Sequence, residues 1–231
     1  LPRPLRLEHP GAFWHLYNRG VARRDIFLSV ADRERFLRLL AETWQTFQWR
    51  IHTYTLMTNH YRLFVETPEP TLSRGMQKLD GDYAAVFNRS LGRTGPLFNG
   101  RFRAHLVEKE SYFLELARYI VLNPVRARMV RSPADWRWSS YRATAGLSPP
   151  PPWLQTGTLL GHFDPSDRQN AMAVYREFVA AGVGQRRSPW EDLRAKLYLG
   201  SDAFIARIEE LTSRREPTRT EPALQRNPES D

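Results

Sequence analysis

RIHTYTLMTNHYRLFVET, residues 50–67, alternates apolar and polar side chains on both sides of a Thr58-Asn59 turn, and this hairpin decides the fold. Its arms are RIHTYTLM (50–57) and HYRLFVET (60–67). Upstream, ADRERFLRLLAETWQTF (31–47) places Phe36, Leu39, Leu40 and Trp44 on one helical face. Before that, FWHLYNRG (13–20) reads as a strand entering a glycine turn. Downstream, TLSRGMQKLDGDYAAVFNRSLG (71–92) predicts a second helix through Leu72, Met76, Leu79, Tyr83 and Phe87, weakened by Gly75 and Gly81. A strand at RFRAHLVE (101–108) and a helix at SYFLELARYIVLN (111–123), ended by Pro124, complete the series. The order β-α-β-β-α-β followed by a helix predicts an α+β, ferredoxin-like split β-α-β core, its antiparallel sheet backed by helices.

SPPPPW (148–153) predicts a stiff linker between a domain at 1–147 and a small helical C-terminal extension at 154–212. Within that extension, NAMAVYREFVAAG and DAFIARIEELT read as helices, and the polar, proline-bearing 213–231 predicts a disordered tail. No apolar run approaches the roughly 18 residues that span a bilayer, and LPRPLRLEHPG lacks the apolar segment of a secretory leader, so a cytoplasmic chain without a membrane partner is expected. The sequence opens on Leu1, so its numbering is expected to start inside the reading frame. Zero cysteines exclude disulfides and thiolate zinc sites; any metal must use nitrogen or oxygen ligands.

Across the chain, 34 Lys and Arg against 25 Asp and Glu give a net charge of +9, carried mostly by arginine. Such an excess points to a polyanion, because a guanidinium forks onto phosphate, stacks on bases and sheds water readily. Genomic compositional bias is the competing explanation. Candidate phosphate contacts are Arg19 and Arg23 at the first glycine turn, Arg74 and Lys78 on one helical face, Arg101 and Arg103 alternating on the last strand, and Arg126 with Arg128 beyond the last helix. Taken singly, each reads more simply as a solvated surface charge. Trp136, Trp138 and Tyr141 offer rings for base stacking or, more plainly, for packing.

Two places carry chemistry. On HYRLFVET, period-two geometry sends His60, Arg62 and Phe64 to one face of the strand. A histidine there is either structural or a ligand. On the last helix Tyr119 and Asn123 lie four residues apart and share a face, which pairs a nucleophile with an oxygen ligand or a buried tyrosine with a helix-capping amide.

Four stretches, WHLYNRG (14–20), MTNHYRLFVET (57–67), LFNGRFRAHLVEKESYFLELARYIVLNPVRA (97–127) and WRWSSYRATAG (136–146), together resemble the REP-associated tyrosine transposases, single-tyrosine HUH enzymes. PWEDLRAKLYLGSDAFIARIEEL (189–211) is similar to the extension on longer members. The resemblance implies a ferredoxin-like core that binds folded-back single-stranded DNA hairpins, as a monomer or a dimer. It implies Tyr119 as a nucleophile forming a 5′-phosphotyrosine, with His60 and Asn123 holding Mg²⁺ or Mn²⁺ against the scissile phosphate.

Where that pattern calls for a second histidine, this chain has Arg62. Arginine has five donors, no acceptor and a pKa above about 12, so it cannot ligate a cation. Four outcomes follow: Arg62 replaces the metal with a fixed charge, His15 on the neighbouring strand completes the ligand set, cleavage is lost while hairpin binding persists, or the substitution at 62 is engineered or erroneous. A basic ferredoxin-like sheet also suits structured RNA, although the exposed aromatics of an RRM strand motif are not found.

Overall fold

The computed structural model describes residues 7–184 and 198–213. The tail expected over 213–231 therefore lies, apart from Ser213, outside the described residues, as do residues 185–197 of the extension.

The first strand, β1 (Ala12–Arg19), is followed by helix α1 (Val30–Phe47), the hairpin strands β2 (Arg50–Leu56) and β3 (His60–Thr67), and helix α2 (Leu72–Ser90). Strand β4 (Arg103–Val107) leads into helix α3 (Lys109–Val121). A capping box starts α1: the Ser29 hydroxyl accepts from the Asp32 amide at 3.1 Å while the Asp32 carboxylate accepts from the Ser29 amide at 2.9 Å. Gln48, in the left-handed region at φ 54°, turns the chain from α1 into β2. The hairpin turn closes when the Met57 amide donates to the His60 carbonyl at 2.9 Å.

The strands are ordered β2-β3-β1-β4-β5, with β1 between β3 and β4 and antiparallel to both, which is the split β-α-β arrangement expected. The fifth strand, β5 (Tyr198–Leu199), comes from the extension and runs parallel to β4. Two residues carry no periodicity, so nothing in the sequence announces it.

Alternation along the strands divides the side chains between two faces. Trp14, Leu16, Tyr61, Leu63, Val65 and Leu106 meet Phe36 and Leu40 of α1 and Met76, Leu79 and Tyr83 of α2 in one apolar cluster. Full burial of each large side chain there contributes roughly 1.5–3 kcal/mol. Gly75, which in sequence weakens α2, has a packing reason: a Cβ at that position would sit 2.1 Å from Cζ2 of Trp49. On the other face α3 lays Phe113, Leu116, Ala117 and Ile120 over Phe64 and Val107.

After α3 come the short helices α4 (Asn123–Arg126), α5 (Tyr141–Thr144) and α6 (Thr156–Leu160), then α7 (Arg168–Ala180) and α8 (Asp202–Ser213). Leu159 and Leu160 of α6 and Tyr175 and Val179 of α7 join the α3 cluster. The proline-rich stretch ends on buried Trp153, whose ring lies 5.4 Å from that of Tyr54, and the Gln155 amide donates to the Ile51 carbonyl at 2.8 Å. Together with Trp138, whose carbonyl accepts from the Leu56 amide at 2.8 Å, these residues cover the outer edge of β2 and shield its unpaired backbone groups. Among the described residues no helix is long and apolar enough to cross a membrane.

Candidate functional site

The face of the sheet under α3 changes character along its length. Near the start of α3 it is apolar, with Phe13, Phe64, Val107 and Phe113 in mutual contact. Towards the end of α3 the same strands present His15, Tyr17 and Arg19 from β1, Arg62 and His60 from β3, and Arg103 and His105 from β4. The register pairs Tyr17 with Arg62 and Arg103, Arg19 with His60, and His15 with His105. Tyr119, buried near the end of α3, lies over this polar half: its ring meets that of His15 edge-on at 6.1 Å.

Arg62 is the hub. Its Nε donates to Oδ1 of Asn123 at 3.0 Å, and its Nη1 lies 3.3 Å from Nε2 of His15. The guanidinium carbon sits 5.1 Å from the Tyr17 ring centroid and 5.0 Å from that of Tyr119. Asn123 is itself oriented, because its Nδ2 donates to the Tyr119 carbonyl at 2.8 Å and so aims Oδ1 at Arg62. Arginine only donates, so His15 Nε2 must be the acceptor and the ring proton resides on Nδ1. That requires a neutral imidazole. Burial first, then the charge of Arg62 and the neighbouring His105, holds the His15 pKa well below its ordinary value, in agreement.

Beside Tyr119 opens a cavity of about 290 Å³ that Arg62, His15, Tyr17 and His105 also line. Arg19, Arg101 and Arg103 stand around it, and no aspartate or glutamate is among its described lining residues. Leu199 of β5 lines the same cavity, so the extension contributes part of its wall.

Of the residues singled out in sequence, Tyr119, Arg62, Arg19, Arg101 and Arg103 meet at this cavity. Asn123 joins them through Arg62, and the Arg126 guanidinium carbon lies 5.1 Å from the Tyr119 ring centroid. His60 shares the face but lies outside the described cavity lining; its Nδ1 is 2.8 Å from Oδ1 of Asn59 in the hairpin turn. Arg23 is exposed on the glycine turn. Arg74 and Lys78 stand apart on α2, across the sheet: Arg74 lies over the Phe47 ring and Lys78 donates to Asp82 at 2.7 Å. The aromatic trio packs against protein: Trp136 Nε1 donates to the Leu56 carbonyl at 3.0 Å, while Trp138 and Tyr141 are buried.

Among the lining residues that escaped the sequence reading, His105 and Tyr17 had a signal there. The alternation that nominates Arg101 and Arg103 continues to His105, and WHLYNRG puts Tyr17 two residues from His15. Period two was the available signal; which alternate residues meet depends on the β1–β4 register.

A divalent cation tests this donor set and does not fit it. The Asn123 oxygen that would ligate it already accepts from Arg62, and no group of three or more His, Cys, Asp or Glu side chains is placed to hold a metal among the described residues. A dication about 4 Å from a guanidinium meets a repulsion on the order of 8 kcal/mol at an effective dielectric of about 20. His15 does not complete a ligand set either, since its Nε2 faces Arg62.

Known proteins resemble this chain in family model and in fold. Residues 12–123 match the family model described as Transposase IS200 like. A solved structure described as a REP-associated tyrosine transposase bound to a REP hairpin is 18% identical, with a TM-score of 0.55, over 64% of this chain and 89% of that one. At that identity the likeness is one of fold. A crystal structure of a candidate transposase from Deinococcus radiodurans R1 is 16% identical, with a TM-score of 0.36, over 52% of this chain and 95% of that one. No curated protein matches the chain.

Proposed function

Residues 12–123 belong to the IS200-like transposase family, and from that premise we propose that the chain binds single-stranded, hairpin-forming DNA and cleaves and rejoins it through Tyr119. The observation that carries this reading is the position of Tyr119 at a cavity walled by Arg19, Arg62, Arg101 and Arg103 without a described acidic residue. Such a wall attracts a phosphodiester and repels little of it. The hairpin bound to the structural relative supports folded-back single-stranded DNA as the ligand class.

In the proposed step the Tyr119 Oη attacks the scissile phosphorus. A new O–P bond forms to the tyrosine, the P–O3′ bond breaks, the phenolic proton passes to water, and the departing 3′ oxygen takes up a proton. The product is a 5′-phosphotyrosine with a free 3′-hydroxyl, and the reverse attack by a 3′-hydroxyl rejoins a strand without further energy input. Arg62, anchored by Asn123, faces the charge that develops on the phosphoryl oxygens, a role arginine fills in other phosphoryl transfers. Arg126 supports the ring of the nucleophile.

Incubation of the full chain with end-labelled hairpin DNA, followed by denaturing electrophoresis, tests this directly. The expected result is a denaturation-resistant protein–DNA adduct that Tyr119→Phe abolishes. The engagement of the Asn123 oxygen by Arg62 favours a second reading, a catalytically impaired hairpin-binding protein. Tight hairpin binding with no adduct selects that alternative, and preference for an RNA hairpin of the same sequence removes both.

A further inference from the structure

Breaking a P–O3′ bond leaves negative charge on the departing oxygen, and a proton donor positioned beside it is worth roughly 10²–10⁴ in rate. The cavity narrows the choice of donor. No carboxylic acid is among its described lining residues, its arginines keep their protons, and the side-chain amides of Asn18 and Asn99 give none up. His15 is the neutral ring that accepts from Arg62 through Nε2. Besides Tyr119, that leaves the phenol of Tyr17 and the imidazole of His105.

These two are built as a pair. Tyr17 on β1 and His105 on β4 share a face because the strands pair His15 with His105 and Tyr17 with Arg103. Their rings stack 5.7 Å apart at 14°, with Tyr17 Oη 3.4 Å from Nε2 of His105. His105 is buried and Tyr17 half-buried, so the phenol is the more accessible member. The guanidinium carbon of Arg62, 5.1 Å from the Tyr17 ring centroid, sets positive charge beside the group that becomes anionic when its proton leaves. The same carbon lies 5.0 Å from the Tyr119 centroid, so the two phenols border one charged group.

We propose that Tyr17 is a second catalytic tyrosine, the general acid that protonates the departing 3′ oxygen. His105 is its positioning residue, which donates from Nε2 to Tyr17 Oη and leaves the phenolic proton to the cavity. The inference rests on the reading of Tyr119 as the nucleophile and names the proton source of that step. As the electron pair of the P–O3′ bond moves onto O3′, the Tyr17 O–H proton is transferred to it; the phenolate then regains a proton from water, which has received the one from Tyr119. Rejoining runs the same transfer backwards, the phenolate taking the proton of the attacking 3′-hydroxyl.

The test follows adduct formation by the full chain on hairpin DNA of two kinds, with ordinary 3′ oxygens or with a bridging 3′ sulfur at each linkage of the unpaired flank in turn. A thiolate is a far weaker base than an alkoxide and leaves without a proton. Tyr17→Phe, which keeps the ring and deletes the hydroxyl, should slow the adduct roughly a hundredfold or more on ordinary DNA and match wild type within about threefold on the sulfur substrate. Its hairpin affinity should stay within about twofold of wild type, and melting curves verify folding. His105→Leu should show a smaller loss on ordinary DNA, about three- to tenfold, the range of one neutral hydrogen bond, with the same rescue by sulfur.

The sulfur substrate keeps the two readings apart. Equal slowing of Tyr17→Phe on both substrates, or no slowing on ordinary DNA, overturns the proposal and leaves Tyr119 as the nucleophile. A wild-type adduct on sulfur DNA alone does the same, because it reveals a working nucleophile without a proton donor. No wild-type adduct on either substrate removes the cleavage reading and this proposal with it. An adduct that survives Tyr119→Phe and disappears in Tyr17→Phe exchanges the two phenols and overturns both.

Discussion

The sheet has two faces built from the same five strands, and they are put to opposite uses. Under α1 and α2, alternate residues such as Trp14, Leu16, Leu63 and Val65 make a continuous apolar layer. Under α3, the intervening residues begin apolar at Phe13 and Phe64 and end as His15, Tyr17, Arg62 and His105. Leu63 and Arg62 are neighbours on β3, both buried, and differ only in which way the strand's pleat turns them. One face therefore supplies the stability that lets the other keep charges in buried positions, a common division where a site is destabilising in itself.

The widest separation between the faces should appear in denaturant unfolding. Phe36 on α1 is fully buried against the rings of Phe27, Tyr61 and Tyr83 at 5.4, 4.7 and 5.2 Å. Phe36→Ala should cost about 3–5 kcal/mol in an equilibrium urea titration, through lost transfer free energy and a cavity. Tyr119→Phe on the opposite face should change stability by less than about 1 kcal/mol while removing the adduct. Equal losses of stability would erase the contrast.

A second experiment probes an acidic contact between α2 and the sheet, made by Asp80. Asp80 of α2 is half-buried and accepts from Tyr61 Oη at 2.5 Å and Asn18 Nδ2 at 2.8 Å. Burial pushes its carboxyl pKa from 3.8 up to about 6, against the opposing pull of those two hydrogen bonds. The folded chain thus holds this proton more tightly than the unfolded one. Its stabilising contribution is complete below about pH 4 and is lost as pH rises through about 6, by up to about 3 kcal/mol. Urea midpoints at pH 4.5 and 8 should show this decline in wild type relative to Asp80→Asn; parallel profiles would contradict it.

Much of this contrast was legible in the chain because both period-two and helical patterns are local. HYRLFVET alone puts His60, Arg62 and Phe64 on one face, as found, and the six core elements fall within about two residues of their sequence-read limits. What local pattern cannot carry is register and long-range approach. His105 belongs to the site because β4 pairs with β1 at His15, and Gly75 is required because Trp49 lies against α2. The extension's share in the cavity depends on Leu199 adding to an edge more than ninety positions away in sequence, at Val107. Equally, Arg62 reads in sequence as a departure from a metal pattern; only its bonds to Asn123 and His15 show that the surroundings are arranged around the arginine.

The smallest expected effect bears most closely on that arrangement. If the α3 face tolerates Arg62 for binding rather than for folding, an apolar side chain of similar length should fold at least as well. Arg62→Met gives up the bonds to Asn123 Oδ1 and His15 Nε2, which leaves two polar atoms to be rehydrated or shifted, at about 1–3 kcal/mol. Against this, it removes a buried cation set among other arginines and adds apolar contact with the rings of Tyr17 and Tyr119. Substitutions that replace buried charge by well-packed hydrophobic groups are commonly neutral or stabilising. The balance predicts a urea midpoint equal to wild type or higher by up to about 1 kcal/mol, together with the loss of hairpin affinity. A clear loss of stability in Arg62→Met would mean that Arg62 is held there to join α3 to the sheet, and the division of labour between the two faces would fail at the residue that defines it.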